Sequence, residues 1–214
     1  MPWRRRLRST SPAATRSAWN WPRRSPDFGT AVTIVETADR LLPGEEPEAG
    51  ELIGEVLRRE GIRVLTRTRL RRVSHDGRDF TVHLDGAGPV RSQRLMVATG
   101  RRADLRALGV AAAGIDDTQP FIDVDDHLRA GDGVWSVGDV TGAGAFTHVA
   151  TYQARIAASD ILGQAHGPAS YRALPRVTFT DPEVGAVGLT EAQARGTNVT
   201  VRTAISAIPS SSRG

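Results

Sequence analysis

The 214-residue chain is 39% hydrophobic and 24% charged, enough to bury a core, and it has no apolar run long enough for a membrane span. It contains no cysteine, which excludes disulfide scaffolds, thiolate nucleophiles, cysteine-ligated zinc and a dithiol redox centre of its own. The net charge of +4 is unevenly placed: all 28 basic residues are arginine, and seven of them lie in residues 1–26, which hold no acid, so the remainder carries 21 arginines against 24 acids, or −3. The isoelectric point near 10.7 therefore comes from the head and is poor evidence that the folded part binds nucleic acid.

In chain order, Ala31 to Glu36 is a β-branched block that predicts a buried parallel strand ending in an acid. Pro43-Gly44 breaks the chain. Residues 46–60 then place Leu52, Ile53, Val56 and Leu57 on one helix face, with Pro47 in the first turn and Gly61 as the stop. Ile62 to Leu65 predicts a strand, and Leu70 to Val73 and Phe80 to Leu84 predict a hairpin about Asp76-Gly77. Leu95 to Thr99 predicts a further buried strand.

After a Gly- and Ala-rich connection, Val134 to Val137 predicts a short strand running into Gly138-Asp139. A glycine loop from Thr141 to Ala145 follows, then a helix over Thr147 to Leu162 with Val149, Tyr152, Ile156 and Leu162 near helical spacing. Arg176 to Thr180 and Val184 to Leu189 predict strands about the turn Asp181-Pro182, and Thr190 with Gln193 has capping-box spacing. Asn198 to Ile208 predicts a last strand with nothing after it to pair with, leaving an exposed edge prone to aggregation.

Gly138-Asp139 at a strand end is a place where a ligand hydroxyl could meet a fixed carboxylate, and the N-terminus of the helix from Thr147 would add free amides favouring anionic groups. On spacing alone, an aspartate capping its own turn is the plainer reading. Glu36 could accept hydrogen bonds from a ribose diol, although the G-x-G-x-x-G turn expected before it is missing. Asp123, Asp125, Asp126 and His127 cluster, but Leu128 stands where a calcium loop needs glycine, so a solvated acidic turn is expected. The sequence has no G-x-S-x-G and no H-E-x-x-H, and its five histidines are scattered, so no residue is assigned to catalysis or to a metal.

Taken in order, Val32-Thr-Ile-Val-Glu36 with Asp39-Arg-Leu-Leu-Pro43, Ala98-Thr-Gly-Arg101, Val137-Gly-Asp139, Thr147-His-Val-Ala150 and Pro175 to Glu183 with Val187 to Glu191 resemble the pyridine nucleotide-disulfide oxidoreductases. These are flavoproteins that include dihydrolipoamide dehydrogenase and mercuric reductase. The tail Ile208 to Gly214 is most similar to the mercuric reductase-like branch. The resemblance implies an α/β fold: a partial Rossmann-like NAD-binding domain (27–98), the C-terminal part of an FAD domain (99–166), and the start of an α+β dimerisation domain (167–214), behind an aberrant basic head (1–26).

By motif position, Gly138 and Asp139 would meet a ribityl hydroxyl of FAD and Thr147 would reach the flavin ring. Glu36 would take the nicotinamide cofactor's ribose, favouring NADH over NADPH, with Leu70 and Gly100 lining that site. Ala103-Asp104 depart from the family's usual Pro-Asn. The family's FAD fingerprint, redox cysteine pair, NAD glycine loop and C-terminal His-Glu base are not found in the sequence. The implied function is therefore a fragment of a cytoplasmic FAD- and NAD(P)H-dependent oxidoreductase, a homodimer when intact, passing hydride to flavin and on to a disulfide, metal ion or quinone. Alone, the chain is expected to be inactive.

The head has three readings: a transit peptide, a nucleic-acid arm, or translation out of frame. Trp19-Asn20-Trp21-Pro22 is encoded TGG-AAY-TGG-CCN, and a frame one base earlier forces Glu-Leu-Ala, which suits the helix after the family's NAD glycine loop. The out-of-frame reading is preferred. The alternative function is a non-catalytic binding module using the basic arm for nucleic acid or targeting; neither nucleic acid nor a membrane is an expected partner of the folded part.

Overall fold

A computed structural model describes residues 30–197 and 199–207. The head, with its out-of-frame or arm readings, and the tail from Ile208 lie outside the described residues. The chain first forms a β-α-β unit: β1 (Thr33–Val35), α1 (Pro47–Arg59) and β2 (Arg63–Leu65). The two strands pair in parallel with Thr33 opposite Arg63 and Val35 opposite Leu65, the arrangement a helical crossover allows. Pro47 opens α1 as expected, and Gly61, at φ +82°, ends the segment in a conformation glycine adopts freely.

The apolar face of α1 is narrower than the sequence predicts. Ile53 and Leu57 are buried with Leu41, Leu42 and Ile62, while Leu52 is half exposed. Gly50 and Gly54 complete the buried face. A Cβ on Gly50 would sit 2.2 Å from the Leu41 carbonyl oxygen, so the absence of a side chain lets the helix close onto the Asp39-Pro43 turn. Gly50→Ala is expected to lower stability by about 1–3 kcal/mol by forcing that backbone apart. Urea unfolding checks it, and an unchanged midpoint would show that the turn yields freely.

A three-stranded antiparallel meander follows: β3 (Leu70–His75), β4 (Phe80–Leu84) and β5 (Val90–Ser92), in the order β3-β4-β5. The expected hairpin forms, with a four-residue loop. Asp76 Oδ1 accepts the amides of Arg78 and Asp79, and these two backbone bonds hold its carboxyl below the ordinary carboxylate range.

Leu95 to Thr99 is not a strand, contrary to the sequence reading; Met96 and Val97 are 53% and 61% exposed. Its pattern suits a strand inside a sheet, yet among the described residues no strand pairs with it. The Gly- and Ala-rich connection instead carries a short helix, α2 (Leu105–Leu108), capped by Asp104, whose Oδ1 accepts the Ala107 amide at 3.1 Å.

β6 (Arg129–Gly131) and β7 (Val134–Trp135) form a hairpin about Asp132-Gly133, and β7 stops short of the predicted Val137. The helix α3 (Thr147–Ile161) follows the glycine loop as expected. It buries Val149 and Ile156, whereas Tyr152 and Leu162 are exposed. Leu128, fully buried, packs against Ile156 and Ala157. It holds φ +65°, a left-handed conformation costly for a branched side chain and offset here by its core contacts. The acidic turn before it is as the sequence predicts: Asp125 Oδ1 accepts the amides of His127 and Arg129.

β8 (Pro175–Thr178) and β9 (Val184–Val187) pair antiparallel across Asp181-Pro182, a cis peptide, and α4 (Glu191–Arg195) begins with the expected capping box of Thr190 and Gln193. No strand forms at residues 199–207, so the predicted last strand is corrected: nothing there supplies ladder partners. This C-terminal unit docks on the first one. Val184 joins the core of α1, Arg176 bonds Glu45, and the Glu191 amide donates to Glu46 Oε1 at 2.7 Å. Among the described residues no helix is long and apolar enough to cross a membrane.

Candidate functional site

The segment after β7 is organised from beneath by one side chain. Gln153, on the buried face of α3, is fully inaccessible. Its Oε1 accepts the Gly138 amide at 2.5 Å, and its Nε2 donates to Thr141 Oγ1 at 3.0 Å and to the Tyr171 hydroxyl at 2.8 Å. Thr141 Oγ1 in turn donates to the Gly138 carbonyl at 2.9 Å. Both polar groups of Gly138 are thereby tied down, at φ +84° and ψ −155°, a conformation open to glycine. A Cβ there would also come within 3.6 Å of Ala150, so the absent side chain brings this loop close to α3.

Asp139 follows and opens a single 3-10 turn, Asp139–Thr141. Its Oδ2 accepts from Arg101 Nη1 at 3.1 Å, and its side chain is 44% exposed. The carboxylate is therefore oriented by a cation while still open to solvent. Gly142, at φ +72°, leaves room for the Phe121 ring, which a Cβ would meet at 2.8 Å. The loop is thus shaped by three glycine-dependent or hydrogen-bonded points.

Thr147 begins α3. Its N-cap, Phe146, makes no side-chain cap bond. The first amides of a helix have no partner within it, so those of α3 and its positive dipole end are available to an electron-rich ligand group. The neighbouring His148 ring stacks on Phe146 with centroids 5.0 Å apart and bonds the Pro175 carbonyl through Nε2 at 3.1 Å. An open groove along α3 is lined by Thr147, His148, Thr151, Tyr152 and Arg155.

Glu36 and Leu70 lie elsewhere, on the β1-β2 unit and at the start of β3. The Glu36 amide donates to the Leu65 carbonyl and its carbonyl accepts the Thr68 amide, so the strand end and the approach to Leu70 are joined through the backbone. Glu36 Oε1 accepts from the Ala38 amide at 2.9 Å and the Thr37 hydroxyl at 3.2 Å. The acid therefore caps its own turn. Gly100, at φ +116°, directly precedes the Arg101 that reaches Asp139.

Sequence reasoning missed Gln153 and Arg101 as organisers of this site. A lone polar residue on an otherwise apolar helix face was the only signal for Gln153; the Arg101-Asp139 pair spans 38 residues and left none. It also treated the histidines as scattered, whereas His127 and His166 come together with ring centroids 5.0 Å apart beside Asp160 on α3.

The description "Pyridine nucleotide-disulphide oxidoreductase" belongs to a family model that matches residues 25–154, and that of the corresponding dimerisation domain matches residues 174–214. A mercuric reductase of Streptomyces lividans is 40% identical over 171 residues, covering 78% of this chain and 36% of that protein. A dihydrolipoyl dehydrogenase of Zymomonas mobilis is 38% identical over 183 residues, covering 82% of this chain and 39% of its own length. Among solved structures, the HOCl-induced flavoprotein disulfide reductase RclA from Escherichia coli superposes with a TM-score of 0.76 at 29% identity, over 88% of this chain and 44% of that one. The chain spans less than two fifths of the length of these two curated relatives. With the family model matching residues 25–154, more than half of the sequence, and the dimerisation-domain model matching residues 174–214, the chain belongs to the pyridine nucleotide-disulphide oxidoreductase family.

Proposed function

We propose that these residues form part of an FAD-dependent, NADH-preferring oxidoreductase, and that the chain by itself does not turn over. The observation that carries this reading is the Gly138-Asp139 segment held by Gln153 beside the uncapped start of α3. Such a segment suits FAD. The half-exposed Asp139 carboxylate would accept a ribityl hydroxyl, while Arg101 fixes its orientation and leaves the rest of the group open. The amides at Thr147 would face the electron-rich edge of the flavin ring. When bound, FAD would supply the two-electron chemistry that the protein's own side chains lack.

Glu36 would bond the ribose diol of NADH, with Leu70 and Gly100 lining the same site. An acid at this position disfavours the 2′-phosphate of NADPH by charge repulsion. Cytoplasmic residence and a homodimer of the intact enzyme belong to the same proposal. So do the domain divisions at 26, 98 and 166, and the reading of the head as an out-of-frame translation.

Two features support inactivity of the chain alone. It has no cysteine to receive electrons from flavin. The apolar Met96, Val97 and Val137, which would be covered inside a complete FAD domain, are exposed. Purified chain mixed with NADH and oxidised lipoamide, or with mercuric ion, is expected to oxidise no more NADH than a protein-free control. Turnover that scales with protein would contradict the proposal.

A further inference from the structure

His127, Asp160 and His166 each offer a ligand atom within 4.8 Å of the others. None of the three belongs to the cofactor-facing segment, and the argument for them is independent of it. The hydrogen bonds around the histidines decide what can lie between them. His166 Nδ1 is 3.1 Å from the Gly167 carbonyl, which only accepts, so Nδ1 carries the proton. In the neutral ring Nε2 then holds a lone pair, yet it faces Asp160 Oδ1, another acceptor, at 3.2 Å. Two lone pairs at that distance repel, so the contact is closed either by a second proton on the ring or by a metal cation shared between the two atoms.

His127 repeats the pattern. Its Nε2 lies 3.5 Å from Asp126 Oδ1, a carboxylate within reach of a proton on that nitrogen, while its Nδ1 is buried with no hydrogen-bond partner. Histidine ligands of metals characteristically donate their second nitrogen to a carbonyl or carboxylate, which sets the tautomer and aims the first. The His166 ring meets that condition through Gly167, and the His127 ring has the Asp126 carboxylate nearby for the same purpose. Asp160 is held rigidly: Arg129 Nε and Nη2 and Trp135 Nε1 donate to it at 2.7, 2.6 and 2.7 Å. Two ligands about 2.0–2.2 Å from a tetrahedral cation stand roughly 3.4 Å apart, close to the spacing already present between His166 and Asp160.

We propose that His127 Nδ1, His166 Nε2 and Asp160 Oδ1 form a site for a divalent transition cation of the zinc class, with a fourth position left to water. Nitrogen and oxygen donors in this number suit zinc or cobalt better than calcium or magnesium. The Arg129 guanidinium shares the carboxylate and opposes the cation's charge, while Asp126, on His127 Nε2, favours it. Binding is thus expected to be weaker than at a structural zinc site.

The test is titration of the full chain with Co2+ at neutral pH, followed by displacement with Zn2+. One equivalent is expected to produce the visible ligand-field bands of a tetrahedral site, which zinc abolishes. His127→Ala and His166→Ala should each weaken binding about tenfold or more while leaving far-ultraviolet dichroism unchanged. Asp160→Asn also disturbs Arg129 and Trp135, so the histidine variants bear the test. Absence of the bands in the parent chain, or full binding retained in either histidine variant, would overturn the proposal; His166 would then be an imidazolium paired with Asp160.

Discussion

Arg176→Ala is expected to cost about 3–5 kcal/mol of unfolding free energy, because it takes the bidentate guanidinium away from a buried carboxylate. Arg176 Nε and Nη2 donate to Glu45 at 3.1 and 2.9 Å, and Nη1 donates to the Gly188 carbonyl at 2.6 Å. The two side chains are only 13% and 7% exposed, so water screens the pair little. They join residues 131 positions apart, the turn before α1 and the strand β8. Loss of the pair should therefore detach the C-terminal unit from the first core, where Val184 packs. Urea unfolding followed by far-ultraviolet circular dichroism measures the loss. The double variant Glu45→Leu/Arg176→Met removes both charges together and is expected to recover most of it. A cost below about 1 kcal/mol for Arg176→Ala would mean that the contact is incidental.

Gln153→Leu is expected to cost about 2–4 kcal/mol, since a side chain of similar size replaces three hydrogen bonds and leaves the buried Gly138 amide without its acceptor. The effect should be local as well as global. With Gly138 released, amide hydrogen exchange of residues 138–142 is expected to quicken more than that of the β3-β4 meander, which Gln153 does not touch. Equal acceleration everywhere would show that Gln153 serves general packing rather than the geometry of this loop.

How much of this was legible in the sequence depends on where each element finds its partners. The β-α-β unit and the β3-β4 hairpin are built from segments close in the chain, and their periodicities were sufficient to place them, whereas the short edge strand β5 carried too little pattern to be predicted. The capping box at Thr190 and Gln193 is wholly local and was equally readable. Leu95 to Thr99 and Asn198 to Ile208 have strand composition, but strands exist only through hydrogen bonds to neighbours, and none stands beside either among the described residues. Composition reports the environment a segment is suited to, not whether that environment is present.

The site divides in the same way. Gly138, Asp139 and Thr147 lie within ten residues and showed as one strand-loop-helix pattern. Gln153 and Arg101 act on that pattern from across the fold, through bonds no spacing rule encodes. His166 meets His127 for a similar reason: Asp160 on α3 gathers Arg129 and Trp135 from the β6-β7 hairpin and draws the two histidines to one place.

Under the proposed function, the Gly138-Asp139-Thr147 segment would face flavin while the chain alone would hold it poorly. The most direct test is the flavin content of the purified chain, read from its visible absorbance after incubation with FAD and gel filtration. The account predicts well below one FAD per chain, and no bleaching of retained flavin by NADH. Stoichiometric FAD that NADH reduces would contradict it, and would show that these residues assemble a working flavin site on their own.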